Sequence, residues 1–296
     1  MTILVGYSAD GRGTEALHLA SMLARSMGDE IVVCAVVSTP WPPSPERLDA
    51  EYRAYAVRSA EQAVAEALDR LPVELSAQCL VREARSVPAG LSETATEIGA
   101  RLLVLGSSTS GLFGRVTLGS VTGRLLHGSP VSIVMAPRGY RSEPASRVTR
   151  LTAGFGGSQP PRVFLSTAAS VAEDLGVALR IVTFAVRPTA AFLGSIEAGA
   201  EDLVVAQWLK TTYRALDDEL ERAVGASTLT RPVVTAVGHG YTWAQAIDDV
   251  AWGPGDVLAV GSSTNGPVAN LFLGSHAAKI LRYAPVPVVL LAPSVS

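Results

Sequence analysis

The sequence predicts an α/β protein built from two tandem doubly wound domains, each a five-stranded parallel sheet with helices on both faces. First, a segment that begins Leu105-Gly106-Ser107-Ser108-Thr109 and ends Gly119-Ser120 recurs 155 positions later, as Val260-Gly261-Ser262-Ser263-Thr264 to Gly274-Ser275. Second, apolar strand-like runs alternate with helix-like stretches in both halves, which is typical of a parallel sheet. Third, a length of 296 residues fits two domains of about 150 residues each.

Five strands are predicted in the first half, at residues 3–7, 31–37, 74–82, 101–105 and 131–136. The run at 31–37 is β-branched and continuous, as expected of a strand that is covered on both faces. Helices are predicted between the strands, at 14–27, 46–71, 88–99 and 120–127. The first helix has alanine and leucine at helical spacing and stops at Gly28, whereas the proline-rich stretch 39–45 has to be a loop.

The second half repeats the same order of elements. Its strands are predicted at 150–155, 178–185, 232–237, 256–260 and 286–291, and its helices at 161–175, 198–225, 242–250 and 275–282. Residues 138–144 are polar and contain glycine and proline, so they are predicted to link the halves. The predicted domains are therefore 1–140 and 147–296.

Composition excludes several classes of function. The net charge of −3 and the pI near 5.9 argue against a nucleic-acid-binding protein, which would carry a basic face. No apolar run reaches the ~18 residues of a membrane span, and Met1 is followed by a strand rather than by the basic start of a signal peptide. A cytoplasmic protein is expected. Cys34 and Cys79 lie in apolar strands, and both are predicted to be buried and reduced.

Candidate site residues follow from the rule that ligands of open α/β sheets bind beyond the carboxyl ends of the strands. Ser8 and Val37 lie at the ends of the first two strands, and Gly106 ends the fourth. A glycine there lets the backbone approach a ligand closely. Ser120 and Ser275 stand at predicted helix starts, where N–H groups attract phosphate. Ordinary tight turns and helix caps remain the alternative explanation.

These residues resemble those of a tandem universal stress protein of the UspA-like family, and the resemblance covers essentially the whole chain. The family's nucleotide-binding members carry the motif G-x2-G-x9-G-[ST] after the fourth strand; its first glycine falls on Gly106 and Gly261. The closing Gly-Ser pair falls on Gly119-Ser120 and Gly274-Ser275. The resemblance implies a Rossmann-like fold, an adenine nucleotide such as ATP with Mg²⁺, and pairing of the two halves through their last strands as an intramolecular pseudo-dimer. A further homodimer is also an expectation.

The chain departs from the family motif in the same way in both halves. Thr109 and Thr264 replace its second glycine, and a β-branched residue disfavours the positive φ that glycine allows. The aspartate that the family carries after the first strand falls on Ser8 and Gly156. The loops are therefore predicted to bind nucleotide weakly or not at all.

The function predicted is a non-catalytic or weakly nucleotide-binding regulatory module of the stress response, with protein partners that the sequence does not identify. Two alternatives stay open: a slow ATPase or phosphotransferase that uses ATP-Mg, and a protein-binding scaffold without a ligand. Hydrolysis or transfer of the γ-phosphate would need a charged group beside it. Arg115 is the basic residue that the glycine loops offer for this role. No lysine-containing P-loop is present, and the histidines lack the spacing of metal ligands.

A rival motif follows the first strand, where residues 11–16 read Gly-Arg-Gly-Thr-Glu-Ala. This pattern matches a dinucleotide fingerprint, but that fingerprint needs an acid near the end of the second strand. The second strand has none, and the second half does not repeat the pattern.

Overall fold

The computed structural model describes residues 1–8, 10, 12–39, 47–126, 128–156, 162–186, 207, 210, 211, 213, 214, 218, 230–261 and 274–291. The predicted helix at 198–225 falls mostly outside these residues, and its few described members are helical.

Strands and helices alternate along the first half. In chain order they are β1 (Thr2–Tyr7), α1 (Thr14–Met27), β2 (Glu30–Ser38), α2 (Arg47–Asp69), β3 (Ala77–Ala84), α3 (Val87–Glu97), β4 (Ala100–Leu105), α4 (Ser120–Leu125) and β5 (Ser132–Met135). Local chemistry sets the helix ends. Gly28 closes α1 with a left-handed φ of 71°, which glycine adopts without steric cost. Ser86 caps α3 by accepting a hydrogen bond from the Ala89 N–H, as serine commonly does at this position.

The second half repeats this order wherever it is described. Its elements are β6 (Arg150–Phe155), α5 (Arg162–Leu175), β7 (Ala178–Val186), β8 (Val233–Gly240), α6 (Trp243–Asp248), β9 (Asp256–Gly261), α7 (Ser275–Tyr283) and β10 (Val288–Leu291). A capping box between Thr242 and Gln245 starts α6, because each residue bonds a free backbone N–H at the helix start.

All the described strands join one ten-stranded sheet in the order β3-β2-β1-β4-β5-β10-β9-β6-β7-β8. Neighbours are parallel within each half, and β5 and β10 are antiparallel, with Val134 opposite Val289. The α/β fold class is thus confirmed, and the two last strands pair across the halves as expected. Because β5 and β10 cover each other, the free edges of the sheet are β3 and β8.

Helices cover both faces of the sheet, and each layer of the core includes residues of both halves. On one face α1, α2 and α5 pack over the strands, and α1 contacts α5 across the seam between the halves. On the other face lie α3, α4, α6 and α7. Among the described residues, no helix combines the length and the apolar character needed to cross a membrane.

The prediction that both cysteines are buried is wrong for Cys79. Cys34 is fully buried in β2, and burial raises the pKa of its thiol to about 11. Cys79 is exposed because β3 is an edge strand with several exposed side chains. The sequence pattern could not distinguish an edge strand from a central one.

A buried ion cluster lies at the amino ends of β6 and β9. The Asp256 side chain is 1% exposed and accepts hydrogen bonds from Arg150 Nε (2.9 Å), Arg150 Nη2 (2.6 Å) and the Gly253 N–H (2.9 Å). Arg180 Nη2 lies 3.5 Å from the same carboxylate, and its guanidinium lies 4.8 Å from the centre of the Trp252 ring. Burial lowers the pKa of Arg180 to about 10. Asp256 is therefore the carboxylate that offsets two arginine charges in this half.

Replacing Asp256 with alanine should lower the free energy of unfolding by about 3–5 kcal/mol, because it leaves a buried guanidinium without its counter-charge. The control is Asp174→Ala, which removes an exposed carboxylate 3.3 Å from Arg101 and should cost less than about 1 kcal/mol. Urea denaturation followed by circular dichroism measures both. Equal losses in the two variants would contradict the assignment.

Candidate functional site

An open cleft lies at the carboxyl ends of β1, β2 and β4 in the first half. Its volume is about 610 Å³, which is within the range of roughly 300–1,000 Å³ usual for small-molecule sites. β1 lies between β2 and β4, so the chain reverses the direction of strand addition at this point. Ligands of open α/β sheets bind at such reversals.

The cleft has one apolar wall and one polar wall. Apolar side chains come from the end of β2, the start of α3 and the end of β4, and they are Val36, Val87, Leu91 and Leu105. The polar wall is the loop between β4 and α4 together with the first residues of α4. It offers hydroxyl groups and backbone N–H groups, and among its members are Ser107, Ser108, Thr109, Gly119 and Ser120. An aromatic ring suits the first wall and an anion the second.

Most of the predicted site residues of the first half line this one cleft: Ser8, Gly106, Thr109, Gly119 and Ser120. Val37 does not line it, since it is 8% exposed and packs in the core. Side chains alternate along a strand, so its neighbour Val36 faces the cleft instead. Ligand binding by any of these residues stays a prediction.

Hydrogen bonds within the loop between β4 and α4 fix its shape. Ser107 Oγ donates to the Ala136 carbonyl (2.7 Å) and accepts from the Thr117 N–H (3.1 Å). The Ser108 N–H donates to the Thr117 carbonyl at 2.9 Å. A β-carbon at Gly111 would overlap the Thr117 side chain, so glycine is required there. The loop thus folds back on itself beside the cleft.

Thr109 occupies its place in this loop without backbone strain. Of the non-glycine residues that the structure describes, Ala145 alone has a positive φ, of 58°. The left-handed residue of the loop is Gly114, with a φ of 73°. The loop therefore places its glycine requirement at Gly111 and Gly114 rather than at Thr109, and φ strain is not a reason for weak binding here.

Arg115, the basic residue that the sequence offered for the γ-phosphate, points away from the cleft. Its Nη1 donates to the Tyr283 carbonyl at 2.5 Å, and its Nη2 lies 2.8 Å from Asp248 Oδ2. Both partners belong to the second half. The side chain therefore connects the loop of the first half to the ends of α6 and α7.

Two other arginines, which sequence reasoning missed, line the cleft: Arg12 and Arg138. Arg12 pairs with Asp10 and holds the pKa of that carboxyl at about 2. Arg138 follows the end of β5, and β5 pairs with β4. That strand order could have indicated its position, because the segment after β5 has to emerge beside the loop after β4.

In the second half, two described side chains lie close to the glycines at the ends of β6 and β9, whereas residues 262–273 of the equivalent glycine loop lie outside the described residues. A β-carbon at Gly261 would lie 2.8 Å from Phe164 Cδ2, and one at Gly156 would overlap His276. The ring of His276 lies 5.5 Å from that of Trp243, measured between centroids. A side chain at Gly156, the position to which the resemblance assigns an aspartate, would therefore overlap His276.

The two halves differ in side-chain size at three equivalent positions near the starts of their helices. Phe164 is the third residue of α5, where α1 has Ala16. Trp243 begins α6, where α3 has Val87. His276 is the second residue of α7, and Val121 is the second residue of α4. Gly274 and Ser275 lie at the start of α7 as predicted, whereas Thr264 lies outside the described residues. At these three positions the second half has the larger side chain.

A family model described as the universal stress protein family matches the chain twice, over residues 1–137 and 148–292. The chain belongs to the universal stress protein family. Universal stress proteins of Mycobacterium tuberculosis and Mycobacterium bovis are each 39% identical to it over 295 residues, covering 98% of this chain and 99% of the relative.

A solved structure of a universal stress protein from Archaeoglobus fulgidus is similar to this fold. It is 17% identical, with a TM-score of 0.58, and the match covers 99% of this chain and 97% of that one. At this identity the likeness shows a shared fold. That fold spans both Usp repeats.

Replacing Arg115 with alanine should loosen the loop between β4 and α4. Hydrogen bonds of charged groups contribute about 1.5–3 kcal/mol, so the amide of Gly114 should exchange roughly 10- to 100-fold faster. Hydrogen–deuterium exchange measures this rate. Arg124→Ala is the control, because it removes an exposed charge from α4 with no contact to the second half in the described structure. Unchanged exchange at Gly114 would show that Arg115 does not hold the loop.

Proposed function

We propose that this universal stress protein is a cytoplasmic regulatory module of the stress response whose first half binds an adenine nucleotide, ATP being the form that the family resemblance implies. The observation that carries the proposal is the open cleft at the strand-order reversal, lined by the glycine-motif residues of the first half. Binding, rather than turnover, is the proposed activity.

The two walls of the cleft match the two parts of a nucleotide. Adenine is a flat apolar ring with polar edges, and it suits the wall formed by Val36, Val87 and Leu91. Phosphates suit the polar wall, where Gly119 lets the backbone approach closely and Ser120 adds a hydroxyl. Gly119 has a φ of −88° and a ψ of 175° and opens toward Ser108, so its lack of a side chain leaves space rather than relieving strain.

One nucleotide per chain is proposed, bound in the first half. In the second half Phe164 and His276 occupy the space next to Gly261 and Gly156. A nucleotide could enter there only if these side chains moved. The second half would then hold the loop between β4 and α4 of the first half, through the bonds of Arg115 to Asp248 and Tyr283.

The slow ATPase alternative loses the residue that the sequence offered for it, since the Arg115 guanidinium is engaged outside the cleft. A protein partner remains a second candidate role because the glycine loop carries two exposed apolar side chains. Leu112 is 67% exposed and Phe113 is 78% exposed. A partner that contacted these two side chains would bind to the loop that borders the cleft.

A thermal-shift titration with ATP, ADP and AMP tests the proposal. At about 100-fold over the dissociation constant, a ligand should stabilise the chain by about 2.7 kcal/mol. Gly119→Val should abolish the shift: the new side chain meets Ser108 Cβ at an ordinary 3.7 Å, so the variant folds with its cleft filled. Gly274→Val, at the matching position of the second half, should leave the shift unchanged. No shift with the unaltered chain up to millimolar nucleotide would refute the proposal.

A further inference from the structure

Three charged side chains line the cleft of the first half: Arg12, Glu15 and Arg138. Two of them have partners of their own. Arg12 forms an ion pair with Asp10, and Glu15 Oε1 accepts a hydrogen bond from the Gly139 N–H at 3.1 Å. Arg138 differs, because no carboxylate of the described residues lies within ion-pair distance of it. A half-buried guanidinium without a counter-charge favours an anion beside it.

The structure holds Arg138 in place through both its backbone and its side chain. The Arg138 N–H donates to the Arg115 carbonyl at 3.0 Å, and the Arg138 carbonyl accepts from the Gly114 N–H at 2.9 Å. Nη1 donates to the Gly111 carbonyl at 2.6 Å. A guanidinium has five N–H donors in a planar fork, and the fork matches phosphate oxygens. A guanidinium bonded through Nη1 keeps further N–H donors for a ligand, and Arg138 lines the cleft.

The same cleft is a poor site for a magnesium ion. Mg²⁺ usually needs one or two carboxylates in addition to phosphate and water oxygens. Glu15 is the carboxylate that lines the cleft, and one of its oxygens is engaged by Gly139. Ser8 stands where the family carries an aspartate. Within the described ranges no cluster of three or more His, Cys, Asp or Glu side chains could hold a metal ion.

We propose that Arg138 binds the phosphate chain of the nucleotide directly, so that the first-half cleft takes the metal-free nucleoside polyphosphate in preference to its magnesium complex. The inference rests on the proposed function, since it assigns the phosphate-binding charge of the same cleft. The guanidinium supplies the positive charge that a magnesium ion would otherwise supply. It also couples the ligand to the glycine loop, because the side chain that contacts phosphate also bonds Gly111.

Isothermal titration of the full chain with ATP, in excess EDTA and in excess MgCl₂, tests this preference. ATP should bind more tightly in EDTA, because Mg²⁺ neutralises the oxygens that Arg138 contacts. Arg138→Gln should weaken ATP binding in EDTA by roughly 10- to 100-fold, as for the loss of a charged hydrogen bond. Adenosine, which has no phosphate, should bind the variant and the unaltered chain alike. Arg138→Lys, which keeps the charge but not the fork, should fall between the two.

The control is Arg101→Gln, which makes the same change of charge near the amino end of β4. The cleft lies at the carboxyl end of that strand. This variant should leave the affinity for ATP unchanged. If ATP binds more tightly with Mg²⁺, or equally well to the Arg138→Gln chain, the inference is wrong while the proposed function stands. If neither ATP nor adenosine binds the unaltered chain, both fail. If Arg138→Gln does not fold, the inference is still tested by the affinity of the unaltered chain for ATP with and without Mg²⁺ and by the affinity of Arg138→Lys.

Discussion

The antiparallel pairing of β5 with β10 is the constraint on which the rest of the structure depends. It turns two parallel half-sheets into one sheet and lets each core layer run through both halves. It also makes the strands of the two halves run in opposite directions. The carboxyl ends of the first-half strands therefore lie beside the amino ends of the second-half strands. Met135, at the end of β5, is therefore opposite Val288, at the start of β10. The bonds from Arg115 to Asp248 and Tyr283 follow from this arrangement, because α7 ends just before β10 begins.

The two halves share a topology but differ in the described side chains near the carboxyl ends of their strands. The glycine motif is preserved to the same degree in both sequences, so the motif alone cannot distinguish them. The difference lies in the neighbouring helices, where alanine and valine in the first half correspond to phenylalanine, tryptophan and histidine in the second. Phe164 packs against Gly261 and His276 against Gly156, and the Trp243 ring lies beside that of His276. The first repeat has a cleft at this end of its strands, and in the second repeat the described side chains Phe164 and His276 lie next to the equivalent glycines.

The sequence predicted the strands and the helices, because apolar periodicity and an internal repeat determine them directly, whereas the pairing across the halves was predicted from the family resemblance. β6, for example, was predicted to the residue. The exposure of Cys79 was missed because it depends on which strand lies at the sheet edge. The sequence did not show where the Arg115 side chain points, because its partner Asp248 lies more than 100 positions further along the chain. Arg138 lies outside the glycine motif, and only the adjacency of β4 and β5 brings it to the cleft.

The central proposal is that the first half binds a nucleotide and the second half does not. The most direct test is the stoichiometry of nucleotide binding to the full chain, measured by isothermal titration in the absence of Mg²⁺. The account predicts one nucleotide per chain. Two equivalent sites would contradict it, because the packing of Phe164, Trp243 and His276 would then not exclude a ligand.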